Sequence, residues 1–137
     1  VSVEAWMTRC SVAAPWLSLP GHLTLDEAMS FHGVYRTPRR GALHWAALVQ
    51  ASGLRVDPSL PVSQWSSGQQ QRLMLALALG TEADAVLLDE PASNLDEVGI
   101  QWMKAQMTAV QALSTVVVAT NDEKEEGLQG ASLLRIG

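Results

Sequence analysis

An apolar run that ends in two adjacent carboxylates, Ala85-Val86-Leu87-Leu88-Asp89-Glu90-Pro91, constrains the fold of this chain more than any other feature. Consecutive apolar residues without alternation have the length and character of a central strand in a parallel sheet, covered on both faces. The carboxylates then fall at the carboxyl end of that strand, where α/β sheets bind their ligands. Twenty positions before Asp89, Gln69 closes a run of small residues, Ser66-Ser67-Gly68, that opens a helical pattern. The Leu73, Leu75, Ala76, Leu77 and Leu79 of that pattern leave few polar sides, so the helix should be buried on most of them.

Weaker signals fill in the rest. Cys10 to Ala14 reads as a short buried strand closed by Pro15. Thr24 and Glu27 have the capping-box spacing at the head of a helix reaching about Val34. Arg36 to Gly41, with Arg36, Arg39 and Arg40, reads as a solvated loop. Ala42 to Ser52 is expected to be one helix stopped by Gly53, and Asp57 to Pro61 a rigid connection. Ser66 or Ser67 caps the helix from about Gly68 to Leu79. Val98 to Leu113 is amphipathic helix, and the β-branched Thr115 to Ala119 is the clearest strand. A short helix from Glu123 to about Gly127 and a strand from Leu133 to Ile136 complete the reading, while Val1 to Thr8 shows no clear element boundary. Helices alternating with apolar strands argue an α/β fold around a mostly parallel sheet.

With 137 residues the chain is one domain at most. A net charge of −5 argues against general affinity for nucleic acid. The single Cys10 excludes an internal disulfide and reads as a small buried residue. No apolar run reaches the roughly 20 residues that span a bilayer, so a membrane link would go through a partner. His22, His32 and His44 lack metal-ligand spacing and read as surface or core residues. Met103 and Met107 share a helix face and read as core, and Trp16 as a packing residue.

The chemistry concentrates in two places. A carboxylate at a strand end can hold Mg²⁺, which takes hard oxygen ligands, and a neighbouring carboxylate that points elsewhere can orient or deprotonate an attacking water. Asp89 and Glu90 offer that pair. A helix N-terminus presents unpaired N–H groups and the positive end of the helix dipole, which favour phosphate oxygens, and small residues let the backbone approach them.

On these residues the chain resembles the ATP-binding domain of ABC transporters. Trp65-Ser66-Ser67-Gly68-Gln69 is similar to the family signature Leu-Ser-Gly-Gly-Gln, and Gln70-Gln71-Arg72 continues the likeness. Asp89-Glu90-Pro91 resembles the Walker B ending, Ser93-Asn94-Leu95-Asp96 the D-loop, and Thr115 to Asp122 the following strand and switch. The resemblance implies a partial P-loop NTPase-type fold, with a helical subdomain over about residues 15–65 and the signature helix, Walker B, D-loop and switch over 66–137, together one incomplete domain. It implies ATP and Mg²⁺ as cofactors. Asp89 would be the metal carboxylate and Glu90 the catalytic carboxylate. Ser66, Ser67, Gly68 and Gln69 would meet the γ-phosphate of a nucleotide held by a second ATP-binding domain. Asp96 would align the two halves, and Asn121 would occupy the switch position.

The resemblance also implies a transmembrane permease as partner, a cytoplasmic place at the inner membrane face and no nucleic acid. The segment with Trp16 faces the membrane subunit in the family. Three departures stand out. No G-x-x-x-x-G-K-[ST] phosphate loop occurs, so the chain as it stands should be inactive by itself. The switch residue is Asn121 where the family usually has His, and the Q-loop position falls on Ala14. Two other classes fit less of the sequence: a soluble signature-bearing ATPase acting on nucleic acid or ribosomes, and a non-catalytic binding module.

Overall fold

The computed structural model describes residues 2–121 together with Gly130 and Ser132. The elements follow in the order α1 (Val3–Arg9), β1 (Cys10–Ala13), α2 (Leu25–Tyr35), α3 (Trp45–Ala51), α4 (Ser67–Leu79), β2 (Ala85–Asp89), α5 (Glu97–Gln111) and β3 (Thr115–Ala119). The three strands form one parallel sheet in the order β1-β2-β3, with Ser11 beside Val86 and Leu88 beside Val118. The expected α/β fold with a parallel sheet is therefore present. The helix expected at Glu123 and the strand expected at Leu133 lie outside the described residues.

The sheet has a covered face and an open one. Ser11, Ala13, Val86 and Leu88 point into the core, where the Ser11 hydroxyl donates to the Ala78 carbonyl of α4 at 2.8 Å. Val12 and Val117, on the opposite face, are 40% and 50% exposed. A cleft of about 520 Å³ opens on that side, lined by Trp6, Met7, Val12, Leu17 and Leu87 among others. α4 sits at the centre of the molecule, against β1, α3 and α5. Its Leu73, Leu75, Ala76, Leu77, Ala78 and Leu79 are all buried, as the unbroken apolar pattern requires. Met103 and Met107 of α5 are fully buried, and Cys10 is buried too.

Four expectations need correction. Val3–Arg9 is helical, capped by the Ser2 hydroxyl, although none of its residues is buried. The expected single helix from Ala42 is two pieces: a 3-10 turn over Gly41–Leu43, then α3, separated at His44, whose Nδ1 accepts the Ala46 amide at 3.1 Å. Its imidazole does the work of a Ser or Asn cap, which restarts the helix. The arginine loop is only partly solvated. Arg39 is buried and donates to the Leu79 carbonyl at 2.9 Å and the Ser114 hydroxyl at 2.6 Å. Arg36 donates to the Cys10 carbonyl at 2.8 Å, while Arg40 is exposed. Trp16 is 72% exposed, so packing within this chain does not account for it.

Candidate functional site

The carboxyl edge of the sheet brings Asp89, Glu90 and Asn121 together. Asp89 ends β2 in register with Ala119 of β3, half-buried, and its carboxylate has no hydrogen-bond partner among the described residues. The chain then turns sharply. Glu90 has φ 45°, a left-handed conformation that a non-glycine residue adopts rarely and at a cost of about 1–3 kcal/mol. The surroundings impose it: the Glu90 N–H donates to the Ala119 carbonyl at 2.8 Å and its carbonyl accepts the Ser93 N–H at 3.1 Å. The Glu90 carboxylate accepts the backbone N–H of Asn121 at 3.0 Å, which ties the end of β2 to the segment after β3.

The second part of the site is the head of α4. Ser66 is its cap, in a reciprocal capping box: the Ser66 hydroxyl accepts the Gln69 N–H at 3.2 Å, and the Gln69 side-chain oxygen accepts the Ser66 N–H at 2.9 Å. Gln70 is the first residue whose N–H finds an intrahelical acceptor, the Ser66 carbonyl. The N–H groups of Ser67 and Gly68 stand before that point, where a helix supplies no acceptor, and they are the donors this end offers an anion. The Gln69 side chain is engaged at both ends, since its amide N–H also donates to the Arg55 carbonyl at 2.9 Å.

Between the two parts runs the loop Pro91 to Asp96. Asn94 has φ 63°, a left-handed turn that Asn tolerates, and Leu95 N–H donates to the Ala92 carbonyl. Asp96 caps α5, accepting the Gly99 N–H at 2.8 Å and an Arg72 N–H at 2.7 Å. The Gly99 hydrogen bond is the main cause that holds the Asp96 carboxyl below its ordinary pKa; desolvation opposes it, and the Arg72 charge assists. Gln71 donates to the Pro91 carbonyl at 2.9 Å. The backbone of Gly68 lies so close to this loop that a Cβ there would stand 2.7 Å from the Asn94 carbonyl oxygen.

All eight residues singled out from the sequence therefore lie on the carboxyl edge of the sheet, on the loop leaving it, or on the head of α4. Sequence reasoning assigned no role to Gln71, Arg72 and Asn94, which join these parts. A signal was present: positions 68, 71 and 72 are spaced i, i+3 and i+4, so they share one helix face. Two clefts among the described residues, one beside Arg39 and Glu82 and one beside Val12 and Leu87, border neither Asp89 nor Glu90, and no cluster of three His, Cys, Asp or Glu side chains able to hold a metal occurs among those residues. A divalent ion bound through Asp89 would need its remaining ligands from water and phosphate, which suits Mg²⁺.

Known proteins are similar to this chain. The chain is 29% identical over 121 residues to an uncharacterized ABC transporter ATP-binding protein of Haemophilus influenzae, covering 88% of this chain and 49% of that one. It is 37% identical over 116 residues to the spermidine/putrescine import ATP-binding protein of Pseudomonas fluorescens, covering 76% and 30%. The mRNA export factor of Schizosaccharomyces pombe is 37% identical over 97 residues, 69% of this chain and 8% of that protein. The chain thus spans about half or less of the length of these relatives. The fold superposes on a bacterial ABC transporter cassette solved as a dimer with a TM-score of 0.71 at 21% identity, over 92% of this chain and 60% of that one. The sequence pattern of the ABC transporter family matches residues 5–93, more than half of the chain, and the chain belongs to that family.

Proposed function

We propose that this chain supplies the catalytic carboxylate, the signature turn and the D-loop of an ATP-hydrolysing subunit that energises an ABC transporter. The observation that carries the proposal is the geometry at Glu90, a strained left-handed residue whose carboxylate meets the Asn121 N–H beside Asp89, whose carboxylate has no partner among the described residues. Strain of this kind persists where the surroundings enforce it for function.

In the reaction, a water oxygen attacks the γ-phosphorus of ATP, the bond to the β-phosphate oxygen breaks, and ADP leaves. Glu90 orients that water and accepts its proton. Asp89 is the residue that would hold Mg²⁺, whose charge balances the phosphates. The N–H groups of Ser67 and Gly68 contact γ-phosphate oxygens of the nucleotide held by a second ATP-binding domain, with Ser66 and Gln69 shaping the turn that presents them. Asn121 donates a neutral hydrogen bond toward the γ-phosphate of the ATP that Glu90 acts on, where a His would carry charge. Asp96 sets the loop that faces a second ATP-binding domain. A transmembrane permease is the second partner, and it places the protein at the cytoplasmic face of the membrane; no helix among the described residues is long and apolar enough to cross one.

The phosphate loop that grips ATP is not in this sequence, so the 137-residue chain turns over no ATP by itself. In a longer protein that supplies the loop, Glu90→Gln should retain nucleotide binding and lose hydrolysis. Hydrolysis by that variant within about tenfold of wild type, roughly 1.4 kcal/mol in barrier, would move the catalytic role elsewhere. A second reading, a soluble ATPase working on nucleic acid, is favoured by the likeness to an mRNA export factor, and the acidic net charge of −5 counts against it. Copurification with a multi-span membrane protein supports the transporter reading, and ATPase stimulation by RNA supports the other.

A further inference from the structure

Three residues on one face of α4 grip the Pro91–Asp96 loop at three points. Near the head of the helix, the backbone of Gly68 lies against the Asn94 carbonyl oxygen, 2.7 Å from where a Cβ would be. One turn on, Gln71 donates to the Pro91 carbonyl. Beside it, Arg72 spans two elements: one guanidinium N–H meets the Asp96 carboxylate at 2.7 Å, and its Nε–H meets the Ser52 carbonyl at the end of α3 at 3.2 Å. The Arg72 side chain is only 15% exposed whereas that of Asp96 is 67% exposed. An exposed ion pair contributes little by itself. An arginine packed down and aimed by a backbone carbonyl is another matter, because its fork is already oriented before it meets the carboxylate. The loop so held starts at Glu90 and ends at the cap of α5.

We propose that Gly68, Gln71 and Arg72 form an intrachain clasp that fixes the Glu90–Asp96 loop to the head of α4, and that Arg72 is a positioning residue for hydrolysis. The proposal rests on the ATPase reading above. Its physical content is that the anion-facing amides of Ser67 and Gly68 and the Glu90 turn belong to one rigid frame. Loosening the loop misplaces the carboxylate without removing it, and small misplacements of reacting groups lower turnover more than they weaken binding. The clasp also gives Gly68 a second reason to be glycine, since a side chain there would push the loop off the helix.

The test compares Arg72→Gln and Arg72→Lys in a longer chain that includes the phosphate loop. Amide hydrogen exchange is read at Ser93, Leu95 and Gly99, whose N–H groups bond within the loop and its cap. ATP turnover is measured on the same samples. Arg72→Gln should speed exchange at all three amides by roughly tenfold or more. It should lower kcat by roughly tenfold while KM stays within about threefold. Arg72→Lys keeps the charge but cannot reach both Ser52 and Asp96, so it should fall between the two, and it carries the same readouts if Arg72→Gln does not fold. Unchanged exchange in the loop would overturn the clasp. Faster exchange with unchanged kcat would overturn the positioning role. If the wild-type protein bound ATP without turning it over, the ATPase reading and the positioning role would fall together, while the exchange data would still decide the clasp.

Discussion

Replacing Thr81 by Val removes one oxygen from the interior and keeps the shape of the side chain. Thr81 is fully buried just beyond α4, and its hydroxyl has three neighbours. It donates its only proton to the Leu77 carbonyl at 2.6 Å. Its two lone pairs must therefore accept the Trp45 indole N–H at 3.1 Å and an N–H from His32 Nε2 at 3.0 Å. This proton count assigns His32 the tautomer with hydrogen on Nε2. One hydroxyl thus joins α2, α3 and the end of α4.

In Thr81→Val the indole N–H of Trp45, a residue only 4% exposed, has nowhere to go, and an orphaned buried donor costs about 1–3 kcal/mol. His32 is half-buried and can turn partly to water, so its loss adds about 0.5–1 kcal/mol. The expected total is roughly 1.5–4 kcal/mol, a large share of the 5–15 kcal/mol typical of a domain. Urea unfolding followed by tryptophan fluorescence would measure it, against wild-type chain of the same length. In a double-mutant cycle with Trp45→Phe, the two losses should be less than additive, because both delete the same hydrogen bond.

The His32 arm adds a pH dependence. Burial, with the Arg36 charge behind it, lowers the His32 pKa below its ordinary 6.5. The unfolded chain then binds the proton more readily than the folded one, so this residue's contribution is complete above pH 6.5 and is lost as pH falls from there toward the lowered folded-state value. His32→Gln should flatten that slope. A Thr81→Val loss under about 0.5 kcal/mol, or full additivity with Trp45→Phe, would refute the shared-hydroxyl reasoning.

Two further outcomes are expected. Gly80→Ala should destabilise by about 1–3 kcal/mol, because a Cβ there would stand 2.6 Å from a Trp45 ring carbon and 2.7 Å from the Ala76 carbonyl; an unchanged melting temperature would show that these neighbours yield freely. In a longer chain with the phosphate loop, Asn121→His should preserve or raise ATPase activity and Asn121→Ala should lower it at unchanged stability, since the backbone N–H that meets Glu90 survives both changes. A drop in melting temperature with unchanged turnover for Asn121→Ala would make the side chain a structural cap.

The parts of the fold legible in the sequence are those whose burial is continuous. β2 and α4 are covered on most sides, so their residues are apolar nearly without interruption. The capping box of Thr24 with Glu27 was readable because it closes within four residues, whereas at α4 only Ser66 or Ser67 stood out as a cap and the structure adds the return bond from Gln69. α1 was not, because a helix with no buried residue leaves no periodic stripe. Arg39 misled for the opposite reason. Its neighbours Arg40 and Arg36 made a basic run that reads as solvated, and only the fold brings the Leu79 carbonyl and the Ser114 hydroxyl to its guanidinium.

The site divides along the same line. Asp89, Glu90 and the head of α4 can be picked out because each is a local arrangement with its own chemistry. What joins them is not local. The Asn121 amide reaches Glu90 across 31 positions, and Arg72 reaches Asp96 across 24. Such closures depend on the parallel register and on how α4 crosses the sheet, and residue type alone does not specify them. Gly68 shows what is lost. Read from sequence, it is glycine so that phosphate can approach a helix end. In the fold, the Asn94 carbonyl already occupies the space a Cβ would need. The two reasons predict different failures for Gly68→Ala: weakened nucleotide affinity with a quiet loop if phosphate approach dominates, and a loosened Pro91–Asp96 loop even without nucleotide if the packing does. The packing reason operates before any ligand arrives, so loop exchange in the nucleotide-free protein separates them.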